Sequence, residues 1–162
     1  MADIVDKKTR SRMMAGIKSK DTKPEILLRR FLFKHGFRYR LHAANVLGKP
    51  DLVLSKYKLV IFVHGCFWHR HKGCKLAYVP KSNVEVWLNK FSNNVRRDTN
   101  QVQQLIISGW KVLIIWECGL RKNEVALEWL PDYLRSGPDD YMEWPVIQQG
   151  QHGELMDSIH LT

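Results

Sequence analysis

The stretch Val60–Cys74, VIFVHGCFWHRHKGC, decides how this chain is read. It opens on an apolar, β-branched run, Val60 to Val63, which predicts a buried strand. The strand then delivers His64, His69 and His71, with Cys66, Cys74 and the pair Phe67-Trp68, in quick succession. A packed core does not accommodate that mixture. Buried polar groups need partners, and imidazole and thiolate find them most readily in a metal ion or a reacting substrate. Gly65 and Gly73 let the backbone turn sharply as it leaves the strand.

On the N-terminal side, Leu52 to Leu54 reads as a second strand, joined to Leu59–Val63 by a short turn near Ser55 and Lys56. The two most simply pair as an antiparallel hairpin. Asp51 begins one of these strands and His64 ends the other, so the hairpin brings Asp51, the carbonyl of Val63 and His64 together. A carboxylate with a backbone carbonyl suits Mg²⁺, which keeps waters and takes further oxygens from a phosphate. Taken alone, Pro50-Asp51 reads equally well as a turn or strand-cap aspartate. With His64 and His69 added, a cation, an acid–base group and a basic surface point to phosphodiester hydrolysis.

His71, Cys74 and Cys118 form a second set, with Asp98 as the fourth member. Two thiolates, one imidazole and one carboxylate make a closed, structural zinc site. The competing reading has free thiols, with Asp98 capping an arginine. Zinc is favoured because Asp98 interrupts the apolar seam Val84, Leu88, Phe91, Val95, Val102, Leu105, where an unpaired acid is costly. Cys66 is left over as a small buried residue. Phe67, Trp68 and Trp87 are either core packing or apolar wedges that insert between base pairs.

Elsewhere, Thr22-Lys-Pro-Glu25 is a capping box opening a helix that stops at Gly36. Phe37, Tyr39 and Leu41 alternate with polar residues as a half-exposed strand does. Ser82-Asn-Val-Glu85 is a second capping box, opening a long helix that ends before Gly109. Lys111–Trp116 is a strand covered on both faces. A last helix spans about Glu124 to Leu134, broken by Pro131. The order α-β-β-β-α-β-α predicts an α/β domain with a mixed central sheet flanked by helices. Residues 21–137 form this domain. Residues 1–20 are a basic arm, either a frayed terminus or a segment that orders on phosphates, with Met13 and Met14 as adaptable contacts. Residues 138–162 are a tail assigned no structure.

The chain has 162 residues, 44% of them hydrophobic, and a net charge of +10. That balance favours an anionic partner, nucleic acid first. No apolar run approaches the roughly 20 residues that span a bilayer. The charged N-terminus lacks an apolar signal region, which predicts an intracellular chain. Three cysteines then suit metal ligation or free thiols better than a disulfide framework.

Five stretches carry a resemblance: Thr9-Arg-Ser-Arg-Met-Met-Ala-Gly-Ile17, Gly48-Lys-Pro-Asp51, Val63-His-Gly-Cys-Phe-Trp-His69, Asn94-Val-Arg-Arg-Asp98 and Gly109-Trp-Lys-Val-Leu-Ile-Ile-Trp-Glu-Cys118. Together they resemble the very short patch repair (Vsr) endonucleases, in register over about residues 1–135. The resemblance implies a restriction-endonuclease-like fold of the PD-(D/E)xK type with a structural zinc. It also implies Mg²⁺-dependent nicking of double-stranded DNA 5′ to the thymine of a T:G mismatch left by 5-methylcytosine deamination. Asp51 would be the Mg²⁺ ligand beside the carbonyl of Val63, His69 the acid–base group and His64 a second catalytic histidine. Glu25 would assist through the metal's water shell, although its capping box explains it as well. His71, Cys74, Asp98 and Cys118 would hold Zn²⁺. Phe67, Trp68 and Trp87 would intercalate, with Met14 entering from the arm. Nothing in the sequence reads as an obligate interface or a membrane span, which predicts a monomer with no membrane partner; the resemblance implies the bacterial cytoplasm, at the nucleoid, with mismatch-repair proteins as further partners. Two readings stand against it: a non-catalytic, zinc-stabilised module that senses distorted duplex, and a restriction enzyme cutting both strands.

Overall fold

The computed structural model describes residues 6–121 and 124–148. Five strands form one mixed sheet in the order β1-β2-β3-β4-β5: β1 Arg40–Leu41, β2 Leu52–Leu54, β3 Leu59–His64, β4 Lys111–Trp116 and β5 Tyr141–Trp144. The first two pairings are antiparallel and the last two parallel, with Leu52 opposite Ile61 in the hairpin and His64 beside Trp116 across β3 and β4. The period-2 alternation of strand side chains divides the core between the two faces. Leu59, Ile61, Leu113 and Ile115 face α2 (Lys23–Lys34), which contributes Leu28, Phe31 and Leu32. Val60, Phe62, Val112, Ile114 and Trp116 face the other way, toward Leu105 of α4 (Val84–Ile107). Both faces are covered, which is why β3 and β4 read as continuous apolar runs.

The capping box of α2 is present: Thr22 accepts from the Glu25 amide, and Thr22 Oγ1 donates to Glu25 Oε1 at 3.1 Å. Part of the N-terminal arm, within the described residues, is helical. It forms α1 (Lys7–Ala15), capped by Asp6, which accepts from the Thr9 amide at 2.7 Å. The strand read over Phe37–Leu41 shrinks to β1, because Phe37 turns into the core instead.

Three other expectations need correction. Ser82 does not cap α4; Asn83 holds the N-cap position with φ 53° and makes no side-chain cap bond, while Ser82 Oγ accepts from Arg10 of α1 at 3.4 Å. The α4 seam is not buried along its length. Phe91 and Leu105 are buried, but Val84, Leu88 and Val95 are exposed. Twenty-four residues span roughly 36 Å as a helix and a six-residue strand roughly 20 Å, so α4 outruns the sheet it packs on. Finally, the described part of the tail, residues 138–148, is not structureless, and the rest of the tail lies outside the described residues. Residues 141–144 add β5 to the sheet edge, and Gly119 of α5 (Glu117–Leu120) makes room for Trp144, whose ring a Cβ there would strike. Pro131 sits in the first turn of α6 (Leu130–Arg135), where a missing amide hydrogen costs nothing, after a separate 3₁₀ turn over Glu124–Leu127.

Candidate active site and cysteine–histidine cluster

The open end of the hairpin forms the floor of a cleft of about 690 Å³. Its lining includes Glu25, Asp51, Val63, His64, Trp68, His69, Asp98 and Glu117, with Lys18, Lys49 and Arg97 around them. The antiparallel pairing places Asp51 beside Val63, whose amide donates to Asp51 Oδ2 at 2.7 Å. Burial, reinforced by the charge of Glu25, raises the Asp51 carboxyl to about 6 against the pull of that hydrogen bond. An acid held in this way gains from an added cation. Asp51 Oδ1 and the Val63 carbonyl are oxygens of the type a hard divalent ion takes, in a cleft wide enough for a phosphate.

His64, at the end of β3, is buried and stacks on His69 with ring centroids 3.8 Å apart and planes within 7°. Burial, with the neighbouring His69, pushes His64 down to about 3, so its ring is neutral at physiological pH. His69 closes α3 (Cys66–His69), the single helical turn that follows Gly65. Its Nδ1 lies 2.5 Å from Asp98 Oδ2. Burial works to raise the Asp98 carboxyl, but the hydrogen bond and charge of His69 outweigh it and hold it below the ordinary value. Asp98 therefore orients His69, directing Nδ1–H at the carboxylate and leaving Nε2 without a hydrogen-bond partner among the described residues.

The structure does not bring Asp98 to His71, Cys74 and Cys118. Asp98 is engaged with His69, and the cluster is completed by Cys66: the donor atoms of Cys66, His71, Cys74 and Cys118 all lie within 4.8 Å of one another. The turn of α3 folds Cys66 back on His71, whose amide donates to the Cys66 carbonyl at 3.1 Å. Cys66 Sγ and Cys118 Sγ stand 3.5 and 3.4 Å from His71 Nδ1. The sulfur–nitrogen edge of a tetrahedral zinc site is about 3.5 Å, so the four donors fit a metal ion of that geometry. His71 Nε2 lies 2.9 Å from the Pro145 carbonyl, which can only accept. The hydrogen is therefore on Nε2, and Nδ1 offers its lone pair to the sulfurs. Burial raises the Cys66 and Cys118 thiols, so thiolates there need a cation among them.

Comparison of the sequence with known proteins points to one family. The family model described as DNA mismatch endonuclease Vsr matches residues 2–76. The type II nicking enzyme V.NmeAIP of Neisseria meningitidis serogroup A is 46% identical over 139 residues, covering 86% of this chain and 99% of the relative. The DNA mismatch endonuclease Vsr of Escherichia coli is 46% identical over 124 residues, covering 76% of this chain and 79% of the relative. The type II nicking enzyme V.XorIIP of Xanthomonas oryzae pv. oryzae is 40% identical over 120 residues, covering 74% and 88%.

The chain belongs to the Vsr family.

Two further features of this Vsr-family chain lie at the cleft. Phe67 is the hub of an aromatic cluster, with ring centroids 5.1 Å from Trp68, 5.5 Å from Trp87 and 5.1 Å from Phe91. Trp68 and Trp87 are half-buried, and the Lys90 ammonium lies over both rings at 5.1 and 5.6 Å. Met14 is half-buried on α1, but the arm lines the cleft through Ile17, Lys18 and Ser19 rather than through Met14. Glu117 went unread in the sequence. Its Oε1 accepts the Cys66 amide at 3.0 Å and so anchors the first turn of α3, which carries both His69 and the aromatics. Among the described residues, no helix is long and apolar enough to cross a membrane.

Proposed function

We propose that this Vsr-family protein is a Mg²⁺-dependent DNA mismatch endonuclease of very short patch repair. It nicks one strand 5′ to the thymine of a T:G mismatch. The observation that supports this best is the convergence, in one basic-rimmed cleft, of Asp51 with an Asp98-oriented His69. In this reading Asp51 and the Val63 carbonyl would hold Mg²⁺, and the chemistry such an ion would supply there is Lewis-acid stabilisation of charge on the scissile phosphate. His69 takes or gives the proton through Nε2, while Asp98 stabilises the imidazolium that forms. His64, neutral and stacked on His69, keeps that ring in plane. Glu25 supports the water around the cation, within the limits set by its bonds to Thr22 and Arg29.

Lys18, Lys49 and Arg97 hold the phosphate backbone, as do the basic residues of arm 1–20, and carry the salt dependence that such contacts bring. Trp68 and Trp87 wedge the mismatched step, with Phe67 as their support and Met14 approaching from the arm. Trp68→Ala is expected to weaken binding to a T:G heteroduplex by about 1–3 kcal/mol and leave matched duplex unchanged. A gel-shift series on the two duplexes measures this, and equal losses on both would end the wedge assignment.

Cys66, His71, Cys74 and Cys118 would hold a structural Zn²⁺ that joins α3 to the residues after β4, with His71 also bonded to the Pro145 carbonyl. The mixed sheet with its site at the hairpin end is read as the restriction-endonuclease-like kind. The protein is taken to act as a monomer in the bacterial cytoplasm, at the nucleoid.

The test is one gel. A T:G heteroduplex labelled on each strand, incubated with protein and Mg²⁺ or with a chelator, should be cut in the thymine strand only and only with Mg²⁺. Cutting of both strands would indicate a restriction activity instead, and binding without cutting a non-catalytic module.

A further inference from the structure

His42 takes no part in the reading above, yet it stands against the proposed cation ligand. It follows β1, and its backbone amide donates to the Asp51 carbonyl at 3.3 Å, which fixes the two residues side by side. Its ring nitrogens are distinguishable. His42 Nε2 lies 3.0 Å from Nη2 of Arg29. A guanidinium only donates, so Nε2 must offer a lone pair and the ring hydrogen sits on Nδ1. That Nδ1 is 3.9 Å from Asp51 Oδ1. The other carboxylate oxygen, Oδ2, is already taken by the Val63 amide. Each oxygen of Asp51 thus faces one donor, from two different elements.

Arg29 is itself immobilised, with Nη1 2.7 Å from Asp21 Oδ1 and Nη2 2.9 Å from Glu25 Oε2. Asp21, Glu25 and His42 approach one another closely enough to hold a metal ion. The Arg29 guanidinium already supplies the positive charge there, so the group works as a clamp on His42 rather than as a cation site. A separation of 3.9 Å exceeds a direct hydrogen bond, and one bridging water or a small rotation of the carboxylate closes it.

We infer that His42, fixed as the Nδ1–H tautomer by Arg29, is a positioning residue that sets how the Asp51 carboxylate is presented to its divalent cation. This rests on the Mg²⁺ reading of Asp51. Partners that orient a metal-ligating group typically change metal affinity by about 10- to 100-fold when removed.

The experiment compares full-length His42→Ala and His42→Asn with wild type and Asp51→Ala. Mn²⁺ binding is followed by electron paramagnetic resonance, and the Mg²⁺ concentration for half-maximal nicking is measured beside it. His42→Ala should weaken Mn²⁺ binding and raise the Mg²⁺ requirement, each about 10-fold or more, with metal-free mismatch binding unchanged. His42→Asn should recover most of the loss, because its amide N–H sits at the δ position and asparagine tolerates the positive φ of 43° found here. Should the alanine chain not fold, His42→Gly, which suits that φ, takes its place. Unchanged Mn²⁺ affinity in the alanine or glycine variant overturns the inference. An asparagine variant as weak as alanine overturns it too, since the loss would then report loop shape. If Asp51→Ala itself keeps Mn²⁺, the Mg²⁺ reading fails; if Asp51→Ala loses the ion and His42→Ala does not, His42 alone is wrongly assigned.

Discussion

Asp51→Asn is expected to remove nicking and, at the same time, to make the protein harder to melt. The first effect follows from its place as cation ligand. Loss of several kcal/mol of charge stabilisation lowers the rate by about 10³-fold or more, with mismatch binding retained. The second follows from burial. The Asp51 carboxyl is raised from its ordinary 3.8 to about 6, chiefly by desolvation and then by Glu25. An acid whose folded value is raised binds its proton more tightly in the native state. Ionising it therefore costs stability, starting near the unfolded value and reaching the full amount above about pH 6. The shift corresponds to about 3 kcal/mol at most, and some of it is lost to solvent screening at this partly exposed group. Asparagine keeps an oxygen for the Val63 amide and carries no charge. At pH 7.5 the variant should melt about 2–10 °C above wild type in the absence of divalent ions. The difference should shrink as the pH falls toward 4.5. Calorimetry at the two pH values, beside a nicking assay, checks both halves. A variant that nicks at the wild-type rate removes Asp51 from the cation-ligand role, and one that melts lower at pH 7.5 overturns the burial argument.

The parts of the fold that sequence revealed are those where one local rule decides the outcome. β3 and β4 were legible because five consecutive apolar residues covered on both faces leave no other assignment, and α2 because Thr22 and Glu25 cap it in the expected way. The convergence of Asp51 with Val63 came from hairpin register alone. What stayed hidden depends on contacts distant in sequence. Tyr141–Trp144 lies between proline- and aspartate-rich neighbours and reads as loop; it becomes a strand because it pairs in parallel with β4, where Glu143 also accepts from Trp116 Nε1 at 3.2 Å. Cys66 looked like any small apolar residue, and it is fully buried. Its sulfur meets His71 only because α3 is a single turn and β4 ends at the same level of the sheet as β3. His42 occupies the solvent phase of an alternating strand pattern, yet the strand ends just before it and a positive φ turns it back on Asp51.

Cys66→Ser and Asp98→Asn together decide between the two ligand sets, and their effects should be opposite in kind. Cys66 supplies one of four donors to a cluster that joins α3, the loop to Cys74 and the residues after β4, and serine oxygen is a far poorer partner for zinc than thiolate. The free energy of metal binding at such a site is folding free energy. Cys66→Ser should therefore lose most of its bound zinc and melt at least about 10 °C lower, the equivalent of roughly 3 kcal/mol or more. Asp98→Asn touches none of the four donors. It should keep zinc at the wild-type stoichiometry and melt close to wild type, because Asp98 lies on α4 with its carboxylate on His69. It should nevertheless nick about 10²- to 10⁴-fold more slowly. An asparagine at this position can present its NH₂ to His69 Nδ1 and so select the wrong tautomer, and it cannot stabilise an imidazolium. Atomic absorption for zinc, a thermal melt and a single-turnover nicking rate on each variant separate the two roles. Zinc lost from Asp98→Asn and retained in Cys66→Ser would restore the carboxylate to the metal site and leave His69 without its orienting partner.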